Sequence, residues 1–190
     1  MKWLTTAIAV VLLASAPLRA QTPPPKKPAA PDGLSEFAER VEKYAALRGD
    51  LEKQGPALTG RDDPAHVVAV SDALAAKVRA ARAAARQGDL FTPAAAAALR
   101  KILREMDANS WRIIMDVNPG QFPHRVNDAY PSDKPLSTMP PDLLAQLPRL
   151  PSGLQYRFVG TTLILHDITT NLIVDRMPEA IPTSAPPRRR

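Results

Sequence analysis

No cysteine occurs anywhere in the chain. That absence excludes a disulfide framework, a lipid-modified cysteine at a processed N-terminus and the paired thiolates that make a zinc site readable. Glycine is scarce, at 8 of 190 residues, and no phosphate-binding glycine loop, dinucleotide fingerprint or Gly-x-Ser-x-Gly nucleophile elbow is present. Aromatic residues make up 5% of the chain. Phe91 is the one aromatic within the basic stretch described below and none lies among its arginine edge, so the stacking platforms that single-stranded nucleic acid requires are missing and nucleic acid is not the expected partner. The histidines His66, His124 and His166 are isolated in sequence, and no cofactor or metal is implied. Nor does any apolar run reach the ~20 residues of a membrane-spanning helix.

What is present begins with an export signal. One cation, Lys2, precedes an almost wholly apolar run from Leu4 to Ala16, and Leu18-Arg19-Ala20 follows Pro17. This is the length and flank of a secretory signal, with cleavage expected after Ala20. Residues 1–20 are therefore read as a cleavable signal peptide and the mature protein as periplasmic or secreted, with no transmembrane span. Residues 21–33, Gln-Thr-Pro-Pro-Pro-Lys-Lys-Pro-Ala-Ala-Pro-Asp-Gly, have no apolar period and read as an extended linker.

The basic excess is unevenly placed. The chain holds 25 Lys and Arg against 19 Asp and Glu, but seven of the cations are Lys2, Arg19, Lys26, Lys27 and Arg188 to Arg190. Without these ends, 18 basic residues face 19 acidic ones. Within that near-neutral body, residues 77–104 carry seven basic groups and only Asp89. Two readings follow: neutralisation by the acidic flanks inside one fold, or a basic docking face for an acidic protein or envelope component.

Periodicity predicts an α+β domain over residues 34–177. A first helix runs from Ser35 to about Lys53, with Phe37, Val41, Tyr44 or Ala45, and Leu51 recurring at helical spacing. Asp63-Pro64 starts a second helix whose apolar stripe is Val67, Val70, Leu74, Val78, Ala81 and Ala85, ended by Gln87-Gly88. Arg79, Arg82 and Arg86 form its neighbouring edge. Thr92-Pro93 starts a third helix that buries Ala95, Leu99, Ile102, Leu103 and Met106, expected to pair with the second as an antiparallel hairpin. Across that hairpin Arg100, Lys101 and Arg104 would join the arginine edge.

A proline-rich crossover follows, residues 121–151, packed by Phe122, Tyr130, Leu136 and Met139. Three short strands then form an antiparallel meander: Gln155 to Val159, Thr162 to Asp167 and Asn171 to Met177. Residues 178–190, with four prolines and three terminal arginines, are expected to be a disordered basic tail. A tail of this kind offers only weak attachment to an anionic envelope surface.

The one catalytic constellation the pattern suggests is in the meander. A hairpin closing on residues 168–171 sets His166 opposite Ile173 and diagonal to Asp175; a His with an orienting carboxylate is general-base chemistry. With Tyr156 nearby this is the alternative, hydrolase-like reading. Asp116, Asn118 and Asp128 supply oxygen ligands without the alternating spacing of a calcium loop, and Asn118-Pro119-Gly120 reads better as a turn.

Two stretches carry a resemblance: Val78-Arg79-Ala80-Ala81-Arg82 through Gln87-Gly88-Asp89-Leu90-Phe91-Thr92-Pro93, and Leu154-Gln155-Tyr156-Arg157-Phe158-Val159-Gly160 through Asn171-Leu172-Ile173-Val174-Asp175. With Pro131 to Pro151 between them, residues 63–176 resemble a family of uncharacterised exported bacterial proteins. The resemblance implies an exported bacterial protein and assigns no activity, cofactor or catalytic residue.

Overall fold

The computed structural model describes residues 33–57 and 63–184. The expected signal segment, all but the last residue of the linker, and the terminal arginines lie outside the described residues. Five helices precede a three-stranded sheet: α1 Gly33–Glu52, α2 Pro64–Ala81, α3 Pro93–Arg104, α4 Ala108–Asp116, α5 Pro141–Leu144, β1 Leu154–Val159, β2 Thr162–Asp167 and β3 Leu172–Met177. The chain is α+β, with the sheet at its C-terminal end.

Local chemistry sets the helix starts. The Asp63 carboxylate accepts from the Ala65 N–H and Pro64 fills the first turn; Thr92 Oγ1 accepts from the Ala95 N–H before Pro93 in the same way. Asp107 caps α4 through Ser110. α1 buries Phe37, Val41, Tyr44 and Arg48 on one stripe. Its first residue is a glycine for a steric reason: a Cβ at Gly33 would stand 2.3 Å from the Ala94 carbonyl oxygen at the start of α3.

The helix packing departs from expectation in two respects. α1 packs against both α2 and α3, and those two make no comparable contact with each other, so no α2–α3 hairpin forms. α2 also ends at Ala81, short of Gln87, and only Leu74, Ala75 and Val78 are buried along it. Val67, expected on the buried stripe, is exposed, as is Val68. The cause is tertiary: residues 86–91 turn back toward the sheet and are held there by side-chain hydrogen bonds that a longer helix would forfeit.

The sheet is an antiparallel meander in the order β1-β2-β3. Tyr156, Phe158, Leu163, Leu165, Leu172 and Val174 face the helices and share the main core with Phe37, Leu99 and Leu103. Phe37 stacks on Phe91 at 5.1 Å and on Tyr156 at 6.2 Å. The other face carries a separate small cluster, Val159, Ile164 and Ile173, roofed by Tyr130 with Phe122 beside it. The proline-rich crossover supplies that roof. Of its other expected anchors, Met139 packs against the main core and Leu136 is exposed. α5 and the residues after it contribute Leu143 and Leu147 to the main core.

The outer edge of β3 is occupied along its length. Asn127 N–H donates to Ile173 O, Ile173 N–H to Asp128 O and Tyr130 N–H to Asn171 O. Arg82 donates to Val174 O and Arg100 to Pro178 O. The tail expected to be unstructured from Pro178 is packed at its start: Ala180 N–H donates to Thr161 O at 2.8 Å, and Ala180 and Ile181 are buried. Two apolar residues among prolines are enough to bring this stretch onto the sheet.

Candidate functional site

His166, Asp175 and Tyr156 are not brought together. β2 and β3 pair His166 with Ile173 as expected, but Leu165 pairs with Asp175, so one extra residue, Val174, sits on β3 as a bulge. Without the bulge Asp175 would pair with Ile164 and share the face of His166. One inserted residue reverses which face the strand beyond it presents. Asp175 and Tyr156 therefore point to the helices while His166 points to the opposite side.

Each of the three has a structural partner set. Asp175, fully buried, accepts four backbone N–H groups: Gly88 at 2.9 Å, Leu90 at 2.7 Å, Phe91 at 2.8 Å and Arg176 at 2.7 Å. Burial pushes its carboxyl above the usual range, and these hydrogen bonds oppose that shift. Tyr156 donates to Pro148 O at 3.0 Å and burial raises its phenol. His166 is buried beneath Tyr130, with ring centroids 5.3 Å apart. Its Nε2 lies 3.0 Å from Asn171 Oδ1. Asn171 Nδ2 donates to Tyr130 O, which leaves Oδ1 as the acceptor and puts the imidazole proton on Nε2. Burial lowers the imidazole pKa.

The six candidate docking cations fall into separate groups. Arg79 and Arg82 converge on Asn127, the first on its carbonyl at 3.0 Å and the second on its Oδ1 at 2.9 Å. Arg82 also donates to Val174 O at 3.0 Å and lies 5.0 Å from the Tyr44 ring centroid. Burial pulls its pKa down, and Tyr44, Asp175 and Asp89 oppose this; a guanidinium remains protonated at neutral pH in any case. Arg100 and Arg104 line a cleft of about 520 Å³ floored by Leu103, Met106 and Ile181. Arg86 and Lys101 are exposed. The ion pairs formed among the described residues involve none of the six.

The strongest polar cluster was not anticipated from sequence. Asp167, fully buried, accepts from Tyr44 Oη at 2.6 Å, Arg48 Nη1 at 3.0 Å and the Thr169 N–H at 2.9 Å. Arg48 also donates to Ser152 O at 2.8 Å, and Ser71 Oγ donates to Thr169 O at 2.6 Å. The cluster ties α1 and α2 to the β2–β3 turn. Gly153, at φ +84, leaves room for it, since a Cβ there would meet Arg48 Nη1 at 2.4 Å. A charged residue on the apolar stripe of α1 was the available signal.

Of the oxygen ligands near residue 118, Asp116 is exposed and the other two are taken up by backbone N–H groups. Asn118 Oδ1 accepts from the N–H groups of Gly120 and Gly160, and Asp128 accepts from the Arg125 N–H. Among the described residues no three metal-ligating side chains cluster, and no helix is long and apolar enough to cross a membrane. No protein-family model, curated protein or solved structure matches the chain.

Proposed function

We propose that this chain is an exported, non-enzymatic interaction protein that docks an acidic partner through the cations of residues 79–104. One observation carries the reading. Arg79, Arg82 and Arg100 direct their hydrogen bonds to carbonyl and amide oxygens, which orient a guanidinium without cancelling its charge. Among the described residues no ion pair takes up these cations, so the basic middle of the sequence keeps part of its positive field even with Asp89 and Asp175 near Arg82. Export is supported by the Leu4 to Ala16 run and its flanks. Against a hydrolytic reading stands the separation of His166 from Asp175 by the sheet itself.

The structure also selects the variant to test. Arg82 is half-buried between Tyr44, Asn127 and Val174, so reversing it would disturb folding. Arg86→Glu, Lys101→Glu and Arg104→Glu together change only exposed positions. This triple variant is expected to unfold at the wild-type temperature within ~2 °C and to lose at least tenfold of the partner recovered by crosslinking the mature protein in its own envelope. Undiminished recovery would sink the docking reading. Export is checked separately: the N-terminus of the protein recovered outside the cytoplasm is expected to be Gln21.

A further inference from the structure

We propose that the roof formed by residues 121–131 is an acid-released cover, opened when His166 takes up a proton, and that its release bares the Val159, Ile164 and Ile173 face of the sheet. The geometry starts from the imidazole. His166 is 3% exposed; Nε2–H is bonded to Asn171 Oδ1, and Nδ1 has no hydrogen-bond partner. A second proton would go to that nitrogen, creating a buried N–H with no acceptor and a buried charge, both costly in a low-dielectric site.

Burial outweighs the two groups that favour that charge, the hydrogen bond to Asn171 and the carboxylate of Asp167. From β1 the facing groups are Gln155, which pairs with His166, and the guanidinium of Arg157, a like charge that disfavours protonation. From β3, Arg176 shares this face through its pairing with Ile164. Asp167, next to His166 on β2, favours the charged form, but its carboxylate lies on the opposite face, bonded to Tyr44 and Arg48. From the roof come Tyr130, whose hydroxyl donates to Pro135 O, and Asp128, whose carboxylate accepts from the Arg125 N–H. His124 is buried in the same segment, with Nδ1 2.6 Å from Phe122 O.

The element set to move is the one directly attached. Asn171 bonds both His166 and the Tyr130 carbonyl, and the Tyr130 ring covers the imidazole. Lifting Tyr130 admits water to Nδ1. The cluster that would open is small and separate from the main core, so release is local. The sign follows from burial: the closed state holds His166 with a lowered pKa, so it binds fewer protons than the open state. Closure is fully favoured above the open-state value of ~6.5, and its equilibrium constant falls by up to about tenfold per pH unit below that until the closed-state pKa is reached.

Hydrogen exchange on the full chain at pH 7 and pH 5, corrected for the intrinsic rates, tests this. The amides of Asn127, Tyr130 and Ile173, which bond the roof to β3, are expected to lose at least tenfold of their protection at pH 5 while those of α1 stay protected. In His166→Gln the loss should vanish; in His124→Gln it should persist. Should His166→Gln fail to fold, an NMR titration of the wild-type imidazole decides, because roof opening must follow the protonation of His166. Equal protection at both pH values, an equal loss in a folded His166→Gln, simultaneous loosening of α1, or opening that does not track the imidazole overturns the proposal.

Discussion

Asp175→Ala is expected to lower the unfolding free energy by about 4 kcal/mol, most of what a domain with ~5 kcal/mol possesses. The wild-type carboxylate is the acceptor for the N–H groups of Gly88, Leu90 and Phe91. Leu90 and Phe91 are buried, and none of the three N–H groups is placed in a helix or strand that would supply another acceptor. Alanine would leave them unpaired, at ~1–3 kcal/mol each. The same bonds hold the loop that delivers Phe91 to its stack on Phe37, so packing is lost with them. Asp175→Asn keeps the shape and one acceptor oxygen but presents an amide donor to the two N–H groups on the other side; about half the loss is expected. Urea unfolding followed by circular dichroism separates the two variants, and a loss under ~1 kcal/mol for alanine would show that the loop is held by something else.

Arg48→Met is expected to cost about 3–5 kcal/mol, the range found when one partner of a buried ion pair is removed. Asp167 would keep Tyr44 and the Thr169 N–H as donors but lose its ion-pair partner. The companion experiment is Arg48→Met with Asp167→Asn. The amide removes the second charge while its oxygen still accepts from the Thr169 N–H and its NH₂ can donate to the Tyr44 oxygen, so the double variant should recover much of the loss. Equal damage in the single and double variants would mean that Arg48 acts through its bond to Ser152 O rather than through the charge of Asp167.

How far the fold could be read from sequence follows from the range of the forces involved. Asp63-Pro64 and Thr92-Pro93 start helices by contacts within three residues, and the alternation of Leu163, Ile164 and Leu165 correctly divides β2 between two faces. These are local signals. The early end of α2 is set by Asp175, more than eighty residues away, and no local pattern encodes it. The bulge at Val174 is equally silent, yet it decides whether His166 and Asp175 share a face. Arg48 was legible only as an anomaly on an apolar stripe, since its partner Asp167 is supplied from the far end of the chain. Charge counting located the basic middle but could not say that its arginines would bond carbonyl oxygens, because carbonyls carry no signature in a sequence.

The contacts of α1 bear on when this protein can fold. Tyr44 meets Asp167 across 123 positions, and Arg48 meets Asp167 and Ser152 across 119 and 104. A chain emerging N-terminus first therefore holds the buried polar groups of its first helix unpaired until almost the last strand has appeared. Contacts of such sequence separation slow folding and postpone it toward completion of the chain. The helical half can pack α1 against α2 and α3 before the sheet is made, but Tyr44 and Arg48 meet their carboxylate only once β2 has emerged.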